Sequence, residues 1–228
     1  MSYFVFPDIE NANFASGPLT GRTQPLDMNL RVYLAAKGAV DVIGSLLGIA
    51  LCLPLWGLVA LAIMADSPGP IVFRQRRPGQ WGIPFEILKF RTMRKDAESQ
   101  LRDILAVNPE KDGSLIRVPH DPRVTRLGKI LRKLSLDETP QFINVLRGEM
   151  SLVGPRPISR PIPDPRGLLR LEARPGMTGL WQINGRKNTD CKFMLEKDME
   201  YLRRRSLGLD FAIIAGTFQT LLRLNGAR

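Results

Sequence analysis

The longest apolar stretch runs from Val42 to Ala65 as VIGSLLGIALCLPLWGLVALAIMA, uncharged inside and bounded by Asp41 and Asp66. It meets the length criterion for a membrane-crossing helix. A polar tail before it, and no small-residue cleavage site after it, set it apart from a signal peptide. Length alone suits a single-pass anchor, but two features favour a segment that enters and returns. Pro54 removes a backbone hydrogen bond near the middle and kinks a helix there. Each arm is then about 12 residues, roughly 18 Å at 1.5 Å per residue, against a hydrocarbon core of about 30 Å. Basic residues also flank both ends, Arg31 and Lys37 before and Arg74, Arg76 and Arg77 after. The positive-inside tendency places both flanks on one side.

A second membrane signal lies near the C-terminus. Between Leu207 and Leu224, Phe211, Ile214, Phe218, Leu221 and Leu222 recur at helical spacing. A core-packing helix and an interfacial helix beside the Arg203-Arg204-Arg205 run both satisfy that pattern. Between the two apolar segments, Ile71 to Arg76 and Phe85 to Thr92 alternate around a Pro/Gly-rich loop, which predicts a β-hairpin. Its second strand presents Lys89 and Arg91 on one face. Charged helices are predicted over 94–107, 124–134 and 196–205, and a short one from Pro140 to Arg147 stopped by Gly148. Residues 1–30 read as a mobile polar tail, 31–66 as the membrane-entering segment and 67–228 as one catalytic domain. The fold class is α+β, mostly helical, with a small hairpin.

The net charge of +11 calls for anionic partners: nucleic acid, lipid head groups or phosphorylated substrates. Two distant cysteines, Cys52 and Cys191, form no disulfide framework or metal spacing. A single histidine, His120, argues against Ser-His-Asp chemistry, so carboxylates and arginines carry any catalysis.

Those residues meet in Ser135-Leu136-Asp137-Glu138-Thr139-Pro140-Gln141 and, soon after, Ser151-Leu152-Val153-Gly154-Pro155-Arg156-Pro157. Ser135-x-x-Glu138 fits a capping box, and Thr139-Pro140 equally fits N-cap and N1. The functional reading coexists with either. A carboxylate ionised at pH 7 can attack phosphorus without a base. Mg²⁺ and arginines must then cancel its repulsion from an anionic diphosphate. Because Mg²⁺ takes one or two carboxylates plus phosphate oxygens, one acid can serve as nucleophile and the other as metal ligand. Arg156, stiffened between two prolines, suits a bidentate phosphate grip. Arg132 and Arg186 are further basic candidates.

The ordered elements DSPGP, FRQRRPG, KFRTM, DPRVTRLGKILRKLSLDETPQFINVLRGEMSLVGPRP and RPGMTGLWQINGR, from about Lys37 onward, resemble the bacterial sugar transferases. These are the small monotopic phosphoglycosyl transferases that load a phosphosugar onto undecaprenyl phosphate. The resemblance implies a re-entrant helix kinked at Pro54, in the bacterial inner membrane with the catalytic domain facing the cytoplasm. It implies a nucleotide diphospho-sugar donor, usually a uridine one, and a polyprenyl phosphate acceptor. It further implies Asp137 as the nucleophile that forms a covalent phosphosugar intermediate, and Glu138 as the Mg²⁺-associated partner. Arg132, Arg156 and Arg186 are phosphate-binding residues by the same resemblance, with Lys89 and Arg91 of the KFRTM strand as additional candidates. After Pro157 the chain runs Ile158-Ser159-Arg160-Pro161, where the family often carries an acidic residue; this bears on which sugar and nucleotide are accepted. The expected partners are nucleotide sugar, polyprenyl phosphate and membrane, with a homo-oligomer allowed and nucleic acid not expected. The competing reading is a non-catalytic, membrane-anchored basic module binding nucleic acid or acidic polymer. Few aromatic residues and no RNA-binding motif or zinc finger weigh against it.

Overall fold

The computed structural model describes residues 28–95, 97, 100, 121–158, 162, 164, 166–185 and 190–226, with side chains as far as residue 222. The expected N-terminal tail up to residue 27 and most of the charged helix over 94–107 fall outside the described residues. Helix α1 spans Met28–Asp66, 39 residues with Pro54 inside. By length and composition it can cross a membrane, and only 11% of its apolar window is buried, unlike the core helix of a soluble protein. Leu46, Leu47, Leu51, Leu58 and Leu61 line its open side.

The other side of α1 touches the rest of the chain along nearly its whole length. Tyr33 and Lys37 bond Asp210, Asp41 accepts from Ser151 and Leu152, and Phe142 packs on Gly48. Further on, Val59 and Ile63 join Phe90 and Leu131 in one apolar cluster.

The predicted hairpin forms as β1 (Val72–Pro78) and β2 (Pro84–Phe90), antiparallel with Phe73 opposite Lys89. Helix α2 (Arg126–Lys133) is capped by Thr125, whose side chain accepts from the Gly128 amide. A single 3₁₀ turn, Leu136–Glu138, separates it from α3 (Gln141–Leu146). The capping box does not form: Ser135 adopts left-handed φ 57° and its side chain makes no capping bond. Gly148 ends the region with φ +75°. Asn144 of α3, fully buried, accepts from the Leu88 amide and donates to the Glu86 carbonyl. That fastens α3 along β2 and fixes the 3₁₀ turn beside it.

A second sheet corrects the expectation of one hairpin. Strands β3 (Ser151–Val153) and β4 (Gly176–Thr178) pair in parallel. Three residues are too few for a period, so no alternation marked them in the sequence. Their backbones meet at two glycines: a Cβ on Gly176 would lie 2.1 Å from the Gly154 nitrogen. Gly176→Ala is therefore expected to destabilise the fold by at least about 2 kcal/mol, the upper range of overpacking. Thermal unfolding in detergent reads this as a clear fall in Tm.

Helices α4 (Arg166–Leu169), α5 (Leu180–Gly185), α6 (Cys191–Arg204) and α7 (Leu207–Gly226) complete the described residues. Helix α7 packs one side into the core and leaves apolar side chains open on the other. Ile213 is buried against Val153, Leu180 and Tyr201, while Phe211, Phe218 and Leu222 stay exposed.

Candidate active site

The acid pair sits where α1, β2, α2 and the loop after β3 converge. The left-handed Ser135 turns the chain out of α2 into the 3₁₀ turn, which buries Asp137 to 8% exposure. Burial, and then the like charge of Glu138, push the Asp137 carboxyl above the ordinary carboxylate range; Lys89 and Arg132 pull the other way. Next to it, Glu138 pairs with Lys89 at 2.8 Å and with Arg156 at 3.5 Å. Desolvation lowers the Lys89 ammonium, with Glu138 opposing and Arg156 and Arg77 assisting. Arg132 donates through Nε to Thr92 Oγ1 at 2.9 Å, and its charge is felt by Asp137. Burial lowers its guanidinium, a shift opposed by Asp137.

The scaffold also reaches this turn from the apolar helix. Trp56, two residues past Pro54, donates Nε1–H to Thr139 Oγ1 at 2.9 Å and stacks edge-on against Phe90 at 6.1 Å. Thr139 in turn donates to the Leu136 carbonyl. One indole thus fixes both the acid turn and the strand that carries Lys89.

Arg156 follows β3 directly. Its guanidinium lies 5.8 Å from the centroid of the Trp181 ring and reaches Glu138 from that side. The turn Pro155-Arg156-Pro157 lines a small cavity with Pro78, Arg170 and Pro175.

The structure therefore brings Lys89, Arg132, Asp137, Glu138 and Arg156 together. It does not bring Arg91 there. Strand β2 ends at Phe90, and the Arg91 guanidinium turns back to the carbonyls of Ile63, Ser67 and Pro70, locking the end of α1 to the hairpin. Arg186 lies outside the described residues. Arg77 was not singled out by the sequence, although it stands in FRQRRPG. It donates to the Pro157 carbonyl, and burial and Arg156 push its guanidinium down to about 10.

For a divalent cation, no cluster of three or more His, Cys, Asp or Glu occurs among the described residues. The available donors are the adjacent Asp137 and Glu138. That set does not make a protein cage, but it fits Mg²⁺, which completes its shell with phosphate oxygens and water.

The family model described as bacterial sugar transferase matches residues 32–224. Galactosyl transferase CpsE of Streptococcus agalactiae is 40% identical, across 86% of this chain and 44% of that protein. Exopolysaccharide production protein ExoY of Rhizobium meliloti is 36% identical, across 84% of this chain and 88% of the relative. A UDP-glucose:undecaprenyl-phosphate glucose-1-phosphate transferase of Caulobacter vibrioides is 42% identical, across 84% of this chain and 71% of that protein.

Proposed function

The chain belongs to the bacterial sugar transferase family, and on that premise we propose that it moves a sugar 1-phosphate from a nucleotide diphospho-sugar, a UDP-sugar, to undecaprenyl phosphate. The observation that carries this reading is the buried Asp137 carboxylate beside Glu138, ringed by Lys89, Arg132 and Arg156.

An Oδ of Asp137 attacks the phosphorus that bears the sugar. The P–O bond to the nucleotide's phosphate breaks, and UMP leaves with the electron pair. An oxygen of the lipid phosphate then attacks the same phosphorus, and the bond to Asp137 breaks to regenerate the carboxylate. A desolvated carboxylate is a stronger nucleophile than a hydrated one, which suits a buried position. Arg132, Arg156 and Lys89 oppose the charge that accumulates on phosphoryl oxygens. Glu138 keeps Lys89 and Arg156 beside Asp137 until substrate arrives. Glu138 would hold Mg²⁺, which when bound neutralises diphosphate charge.

The anchor in this reading is re-entrant, with the catalytic domain in the cytoplasm. Support comes from α1 itself: residues near both its ends contact the same body, Lys37 to Asp210 and Ile63 to Phe90 and Leu131. A straight crossing separates its ends by about 30 Å of hydrocarbon and leaves no room for that.

Because the nucleophile must be ionised, turnover is expected to fall with decreasing pH at a value above the ordinary carboxylate pKa of about 4. Removing the neighbouring charge in Glu138→Gln is expected to move the acid limb of the residual activity to lower pH. A pH–kcat profile reads both. The reading as a whole is tested by UMP release from detergent-purified protein with Mg²⁺, undecaprenyl phosphate and a panel of UDP-sugars. Release with one sugar supports it. Silence with every nucleotide sugar, together with salt-sensitive binding to arbitrary oligonucleotides, would move the basic binding module to the front.

A further inference from the structure

Proline lacks an N–H, so Pro155-Arg156-Pro157 has only one amide donor with which to hold its own shape. Its first carbonyl, that of Pro155, accepts from the Gly176 amide at 2.8 Å, and the two that follow are held from outside by two other arginines. Arg170 Nη2 donates to the Arg156 carbonyl at 2.6 Å, and Arg77 Nη1 donates to the Pro157 carbonyl. Arg170 is 2% exposed and lies on the 3₁₀ turn after α4. Its charge is matched by Asp198, equally buried on α6, through two bonds of 2.9 and 2.6 Å to one carboxylate oxygen.

Nothing in the proposed chemistry uses this pair, and as a stability device it is a poor choice. Desolvating two charges costs several kcal/mol that an apolar pair avoids, so a buried ion pair is weak evidence for stability. A positioned backbone carbonyl is something an apolar pair cannot supply. The guanidinium fork provides one nitrogen, Nη2, that bridges Asp198 and the Arg156 carbonyl, while Nε keeps the fork in its plane. The bond ends on the residue whose side chain spans from Trp181 to Glu138.

We infer that Arg170 and Asp198 are positioning residues that set the reach of Arg156 toward a phosphoryl group, with Arg77 steadying the following carbonyl. The inference rests on the phosphate role proposed for Arg156. An Arg170 variant acts through Arg156, so its effect disappears once the Arg156 side chain is gone. A merely structural residue lowers function by the same factor in either background.

The test is a double-mutant cycle of Arg170→Gln with Arg156→Ala. It is read on kcat per folded protein and, independently of turnover, on the affinity for inorganic pyrophosphate. Arg170→Lys, which keeps the charge and a single-point contact to Asp198 but not the fork, runs in parallel should Arg170→Gln fold poorly. The expected result is a loss of about 10-fold or more in the wild-type background and less than about 2-fold in Arg156→Ala, with both Arg170 variants behaving alike. Equal losses in both backgrounds, or no loss in either, overturn the inference while leaving the transfer reaction intact. If turnover is absent but pyrophosphate affinity shows the non-additive pattern, the proposed reaction fails and the positioning role stands. Absence of pyrophosphate binding and of turnover removes both.

Discussion

Asp137→Asn is expected to lower kcat by on the order of 10⁴-fold or more, comparable to losing other covalent nucleophiles. Asparagine keeps the shape of the side chain and its place in the 3₁₀ turn, but its amide does not form an acyl phosphate. The same substitution is expected to raise thermal stability. Burial and Glu138 lift the folded-state pKa of Asp137 above its unfolded value. A carboxyl shifted in that direction contributes stability at low pH, and that contribution is lost as pH rises through the unfolded and then the folded pKa. At pH 7 the ionised group therefore opposes folding, and a neutral isostere relieves it. An inactive variant with a higher Tm than wild type separates loss of chemistry from loss of structure. A variant with a lower Tm contradicts the electrostatic account of the site.

The second large effect belongs to Arg156. Arg156→Ala is expected to cost roughly 10²-fold or more in kcat, the scale for removing one preorganised donor from a developing anion. It also removes one of the cations paired with Glu138, whose contact with Lys89 at 2.8 Å remains. Arg156→Lys is expected to recover only part of the loss, because an ammonium offers a point charge in place of the planar fork. Steady-state UMP release with saturating lipid acceptor reads both variants. Recovery to wild-type rate by lysine would reduce the role of Arg156 to net charge.

The parts of this site that were legible in the sequence are those with local chemistry. An acid pair, an arginine between prolines and a long uncharged apolar run each have a physical reading within a few residues. What the sequence hid is what depends on partners far along the chain. Ser135-x-x-Glu138 has the spacing of a capping box, yet Ser135 turns left-handed and Glu138 faces Lys89, 49 residues away. Strand periodicity put Lys89 and Arg91 together, but the strand ends between them, and Arg91 instead caps the carbonyls that close α1. The parallel pairing of β3 with β4 joins segments too short to show a period, so the frame of Pro155-Arg156-Pro157 emerged only in three dimensions. Arg77 looked like one of several flanking charges until its bond to Pro157 placed it behind Arg156.

The central claim is that Asp137 carries the phosphosugar. It is tested most directly by mixing purified protein with the UDP-sugar donor in the absence of undecaprenyl phosphate and recording the intact protein mass. The account predicts a gain equal to one sugar phosphate, with UMP released in equal amount, mapped to the peptide containing Asp137 and discharged on adding the lipid phosphate. Sustained turnover with both substrates, no adduct from donor alone and undiminished activity in Asp137→Asn would contradict it.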